Sequence, residues 1–127
     1  AREAEDAQAA LLSALEDVQR ALPGAVLVEA GPDFVGLTDV AAVVGLSRQN
    51  MRKLMLGHHQ QFPAPVHSGN PSVWHLAQVL EFLQERQYAF PQAVLDVAHT
   101  AMQINIAKEQ PLLNQRLATR IRQHLHA

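Results

Sequence analysis

Gly45 divides the stretch Leu37–Leu56, LTDVAAVVGLSRQNMRKLML, and constrains the chain more than any other residue. Before it, Val40, Ala41 and Val44 supply an apolar stripe at helical spacing. Thr38 is the expected N-cap, because its hydroxyl can accept from an unpaired backbone N–H at a helix start. At Gly45 the chain needs a positive φ, and Leu46 comes next as an anchor. Ser47 then caps a second helix. At about 100° per residue, Met51, Leu54 and Met55 cluster on one side of it, with Gln49, Arg52 and Lys53 on the other and Arg48 and Asn50 flanking. The reading is two short helices at a tight turn, the second apolar behind and donor-rich in front. An ordinary helical hairpin with a solvated basic face has the same pattern, and the residues beyond Leu56 decide between the two.

Gly57–Gln61, GHHQQ, is a polar connection. Phe62–Val66 is kept extended by its two prolines. Ser68-Gly69-Asn70-Pro71 is a turn, and Ser72-Val73-Trp74 returns as a strand. His75–Gln84 is then helical, with Leu76, Val79, Leu80 and Leu83 inward. Trp74 is expected to plug the base of the hairpin as a core aromatic. Two helices, a Pro-bordered hairpin and a closing helix make a small winged helix-turn-helix, whose second helix is built to enter a major groove.

LTDVAAVVGLSRQNMRKLM followed by FPAPV, a Gly-Asn turn, Trp74 and HLAQVLEFL resembles the winged helix-turn-helix of the MerR, excisionase and phage AlpA-type regulators. The resemblance covers about fifty residues, 34–83. It implies that Ser47, Arg48, Gln49, Asn50, Arg52 and Lys53 approach the major groove of double-stranded DNA. It also implies that the wing, His67, Ser68, Gly69 and Asn70, approaches phosphate or the minor groove. Thr38, Ser47 and the wing backbone would set register on phosphates, while Arg48, Gln49 and Arg52 read base edges. Wings of this family often carry Arg or Lys, whereas this one has a single His.

Ala1–Leu22 reads as a helix, with Ala4, Ala7, Leu11, Ala14, Leu15, Val18 and Leu22 on one face, Glu3, Asp6, Glu16 and Asp17 opposite, and Pro23-Gly24 ending it. Ala25–Glu29, AVLVE, is short, β-branched and bounded by Pro-Gly and Gly-Pro, hence a strand. A lone strand leaves its donors and acceptors unpaired. It is therefore expected to pair with the same segment of a second subunit or with a strand upstream of a chain that begins without Met. Gly31-Pro32-Asp33 is a linker. Beyond the module, Phe90–Lys108 is a long helix with Pro91 near its first position. Pro111 begins a last helix with Leu113, Leu117, Ile121 and Leu125 on one stripe. Val94, Val97, Ala101, Ile104, Leu113, Leu117 and Ile121 are assigned to dimerisation, with folding back onto the first helix as the alternative. The expected architecture is mainly α: an N-terminal helix–strand unit (1–33), a winged helix-turn-helix module (34–86) and a C-terminal helical pair (87–127).

The formal net charge is −2, which argues against a protein that coats DNA indiscriminately. Its distribution is uneven. Residues 1–36 hold seven acids and two bases, whereas from Leu37 to His75 the only acid is Asp39, against Arg48, Arg52 and Lys53. From Pro111 onward Arg116, Arg120 and Arg122 meet no acid. Localised positive charge is what a discrete phosphate-facing patch requires. The chain has no cysteine, so thiolate metal sites and disulfides are excluded, as befits a cytoplasmic protein. The seven histidines include the adjacent pair His58 and His59, with His67 and His75 in the hairpin and His124 and His126 at the end. There is no HExxH, no Cys, and no carboxylate at ligand spacing from a His pair, so neither a metal nor a cofactor is expected. Ser47 has no neighbouring base to make it a nucleophile. The resulting expectation is a dimeric, sequence-specific DNA-binding regulator of bacterial or phage type, with no enzymatic activity and no membrane partner. The alternatives are an antitoxin repressing its own operon while masking a toxin, an excisionase-like DNA bender, and an assembly adaptor.

Overall fold

The computed structural model describes residues 2–125, so the expected helix start at Ala1 and His126 lie outside the described residues. The chain is mainly helical, with one small sheet. Helix α1 (Arg2–Ala21) ends at a turn in which Gly24 takes φ +90°. Strand β1 (Phe34–Val35) precedes α2 (Leu37–Val44) and α3 (Arg48–Gly57). An arm then leads to β2 (Trp74–His75), α4 (Leu76–Glu85), α5 (Gln92–Ala107), a 3-10 turn at Gln110–Leu112 and α6 (Gln115–Leu125). No helix of the described residues is long and apolar enough to cross a membrane.

Most elements arise from local signals, and several differ in detail. Helix α2 starts two residues early: Gly36 is its N-cap, and the Asp39 Oδ2 accepts from the Gly36 N–H at 3.1 Å, which places Thr38 inside the first turn. The carboxylate at the third position thus takes the capping role assigned to Thr38. Pro91 is the N-cap of α5, ahead of its first helical residue. The final helix begins after Asn114, whose Oδ1 accepts from the Leu117 N–H at 3.0 Å, so Pro111 lies within the 3-10 turn before it.

The hairpin is also rearranged. Its two arms meet in a single bridge between His67 and Val73, and β2 pairs antiparallel with β1, Phe34 opposite His75 and Val35 opposite Trp74. Phe34 and Val35, at the start of the expected module, therefore contribute the sheet partner. By contrast, Ala25–Glu29 forms no strand among the described residues, because the segments beside it are helices and offer no free ladder partner.

One hydrophobic cluster joins Val35, Val40, Met51, Phe62, Trp74, Leu76, Leu80 and Leu83 to Leu95, Ala98 and Met102 of α5. It runs across the expected boundary at 86–87, since α5 packs against both α1 and α4. The wide apolar arc of α5 is thus covered on two sides within the chain. Ala101 is fully buried, and Val94, Val97 and Ile104 are half-buried, so this half of the expected dimer surface serves the chain's own core. Leu113, Leu117 and Ile121 are different: they are exposed, and Ala118 is the one buried residue of α6.

Candidate nucleic-acid interface

The turn between α2 and α3 closes as a left-handed cap. Gly45 takes φ +72°, which lets the Leu46 N–H reach the Ala41 carbonyl at 2.9 Å. Ser47 comes next, its Oγ accepting from the Asn50 N–H at 3.1 Å, so its hydroxyl is committed to starting α3. Met51 is fully buried beneath α3, and Leu54 and Met55 are half-buried. Arg48, Gln49, Asn50, Arg52 and Lys53 are all exposed. Among the described residues none of the three cations lies within salt-bridge distance of a carboxylate. Folding therefore holds the helix by its back and leaves the charges on its front without an internal partner.

The arm is fixed from below. Phe62 and Trp74 are buried edge to face with ring centroids 5.9 Å apart, and Phe62 also meets Phe82 at 5.0 Å. The Trp74 indole Nε1 donates to the Pro63 carbonyl at 3.0 Å, tying the two strands of the arm at its base. This is the core role expected of Trp74. At the tip the Ser72 hydroxyl donates to the Gly69 carbonyl at 3.0 Å and accepts from the Gly69 N–H at 3.2 Å. A Cβ added at Gly69 would lie 2.6 Å from the His67 Nε2, so the imidazole lies across the glycine backbone.

Between arm and helix runs an open groove of about 580 Å³. Thr38 and Asp39 of α2, Arg48 and Arg52 of α3, and Gly69 and Asn70 of the arm all line it. Arg48 and Arg52 are four apart and share the flank of α3 that faces the arm, whereas Gln49 and Lys53 lie about 100° further round. Ser47, Asn50, His67 and Ser68 are exposed outside the groove lining. On α3, then, the two guanidiniums border the cleft, while the Gln49 amide and the Lys53 ammonium lie on an outward face. Leu56, 57 % exposed, also falls on the outward face and was not among the expected contacts.

No protein-family model, curated protein or solved structure matches the chain. The geometry has to be interpreted by its own chemistry.

Among the described residues no group of three or more His, Asp or Glu side chains is placed to hold a metal ion. His58 packs edge-on to Phe82 at 6.0 Å. His75 is held by Asp33, its Nδ1 2.7 Å from the Asp33 Oδ1. Arg86, outside the groove, has its guanidinium 3.8 Å over the Phe82 ring and is spent on the core. Sequence reasoning missed the Asp33–His75 contact. Its signal was an acid in an otherwise apolar approach to α2, GPDFVGL.

Proposed function

We propose that the chain is a sequence-specific, double-stranded DNA-binding transcriptional regulator that acts as a homodimer, with residues 34–86 forming a winged helix-turn-helix. The observation that carries this reading is the set of three unpaired cations on the exposed front of α3, two of them in a cleft shared with the arm. Helix α3 would lie in the major groove with Arg48, Gln49 and Arg52 toward base edges and Asn50 and Lys53 at the margins. Arg48 and Arg52 can each fork onto guanine, and Gln49 onto adenine. Thr38 and the Gly69–Asn70 backbone would meet phosphate on either side and fix register without reading sequence. The arm carries no permanent cation, so its contribution would be to position the module. The resemblance to the MerR, excisionase and AlpA-type regulators supports the same assignment. On this reading the chain would act in the cytoplasm of a bacterium or phage-infected cell, as a binding protein and not as a catalyst.

Selection of bound duplexes from a random pool, followed by titration of the enriched site against a scrambled one, tests this. Enrichment of one motif, with affinity that falls steeply as salt rises, is the expected result. Failure to enrich any motif at low salt would remove the proposal.

A further inference from the structure

Residues 26–29 form an open edge between two fixed points. The Ala25 N–H closes the turn after α1 on the Leu22 carbonyl at 2.9 Å. On the other side Asn105 grips the Ala30 peptide twice: its Oδ1 accepts from the Ala30 N–H at 2.7 Å and its Nδ2 donates to the Ala30 carbonyl at 2.8 Å. Between these anchors no backbone group of Val26–Glu29 is hydrogen-bonded to another described residue. Val26 and Val28 are 82 % and 79 % exposed, with the half-buried Leu27 between them, which is the alternation of a strand. Beside them Leu11, Leu15, Val18 and Ile104 line an apolar groove of about 430 Å³. Unpaired backbone next to exposed β-branched side chains is a template for strand addition.

We propose that this edge pairs with the same edge of a second copy, antiparallel and centred on Leu27. The order Val-Leu-Val reads the same in both directions, as a self-complementary contact about a two-fold axis requires. Val26 then sits opposite Val28 of the second copy, twice, giving two β-branched pairs. The one charge in the segment, Glu29, falls opposite Ala25, which holds the two carboxylates at opposite ends of the ladder. Leu22 and Val18, 62 % and 51 % exposed, extend the apolar surface that would be covered. The other uncovered apolar face, on α6, is less suited to self-pairing, because Arg116, Arg120 and Arg122 lie on the same helix with no acid among them. The inference does not rest on DNA binding, and its test needs no DNA.

Sedimentation of the 127-residue chain over roughly 1–500 μM tests it, with a dissociation constant on the order of micromolar expected for so small a ladder. Two variants of equal polarity decide the register. In Val26→Lys/Val28→Lys, lysine faces lysine across both pairs, and dimerisation weakens by at least about tenfold. In Val26→Lys/Val28→Glu each lysine faces a glutamate of the second copy, and the dimer is retained. Hydrogen exchange of the wild-type chain, which needs no variant to fold, slows at the Val26–Glu29 amides as concentration rises. A monomer throughout the range, equal behaviour of the two variants, or exchange at these amides independent of concentration would each overturn the proposal.

Discussion

Asp33 and His75, 42 residues apart in sequence, meet at 2.7 Å between carboxylate Oδ1 and imidazole Nδ1. The second oxygen of Asp33 accepts from the Asn105 Nδ2 at 2.9 Å. Asp33 is 1 % exposed, so its carboxylate has left water and depends on these two donors. The contact ties three parts of the chain together. The peptide of Asp33 lies before β1 and its carbonyl accepts from the Leu76 N–H at 2.7 Å, His75 caps α4, and Asn105 belongs to α5. The groove between α2, α3 and the arm is bordered by β1 and β2, so this polar knot sets where the arm stands relative to the helix.

Replacing Asn105 tests the knot. Asn105→Ala leaves the Ala30 N–H, the Ala30 carbonyl and one buried oxygen of Asp33 without their partner. One unsatisfied buried group costs about 1–3 kcal/mol, and more when it is charged. A loss of about 3 kcal/mol is therefore expected in urea unfolding, read as a fall in midpoint at constant slope. Unchanged stability would mean that the carboxamide supports nothing.

Met51 seats the proposed reading helix. Its side chain is fully buried, and no polar group depends on it. Met51→Ala should destabilise by about 2–5 kcal/mol through lost burial and the cavity left behind. Met51→Leu keeps most of the volume and should cost less than about 1.5 kcal/mol. Equal effects of the two substitutions in thermal unfolding would place the residue outside a close-packed core.

How much of this was legible depends on the distance over which each feature is decided. Gly45 and Ser47 act on residues no more than five away, so the α2–α3 turn and the buried back of α3 could be read directly. Thr38 was misassigned because a second capping group, Asp39, stands next to it, and sequence alone does not rank two candidates one residue apart. The extended character of Ala25–Glu29 was legible, but its partner was not, since pairing belongs to another segment. The arc of α5 announced a large buried surface. That α1 covers it depends on packing between segments about ninety residues apart. In the groove, the exposure of Arg48, Gln49, Arg52 and Lys53 followed from helical spacing. Which of them face the arm did not, because β1 pairs with β2 and so positions the arm.

Gln87 offers a stabilising change. It takes φ +67° at the end of α4, where its N–H reaches the Gln84 carbonyl and the Tyr88 N–H reaches the Leu83 carbonyl, each at 3.0 Å. This is a left-handed helix stop carried by a residue with a Cβ. Gln87→Gly removes the steric cost, and part of that gain is offset by the greater freedom of glycine in the unfolded chain. A net gain of about 0.5–1 kcal/mol is expected, seen as a rise in Tm of about 3 °C. A lower Tm would mean that the Gln87 side chain contributes a contact worth more than the backbone relief.

Arg52 and Lys53 are adjacent on α3 but should fail in different ways. Arg52 lines the groove beside the arm, where a guanidinium can reach two acceptors on one guanine edge. Arg52→Ala should cost about 1–3 kcal/mol on the selected site and relax the preference at one base position. Lys53, on the outward face, offers a single charge and no fork. Lys53→Ala should weaken selected and scrambled duplexes alike and reduce the slope of log affinity against log salt by about one. Both effects are measurable in one salt-matched titration series. If Arg52→Ala lowered affinity for every duplex equally, Arg52 would be a phosphate contact, and base reading would fall to Arg48 and Gln49.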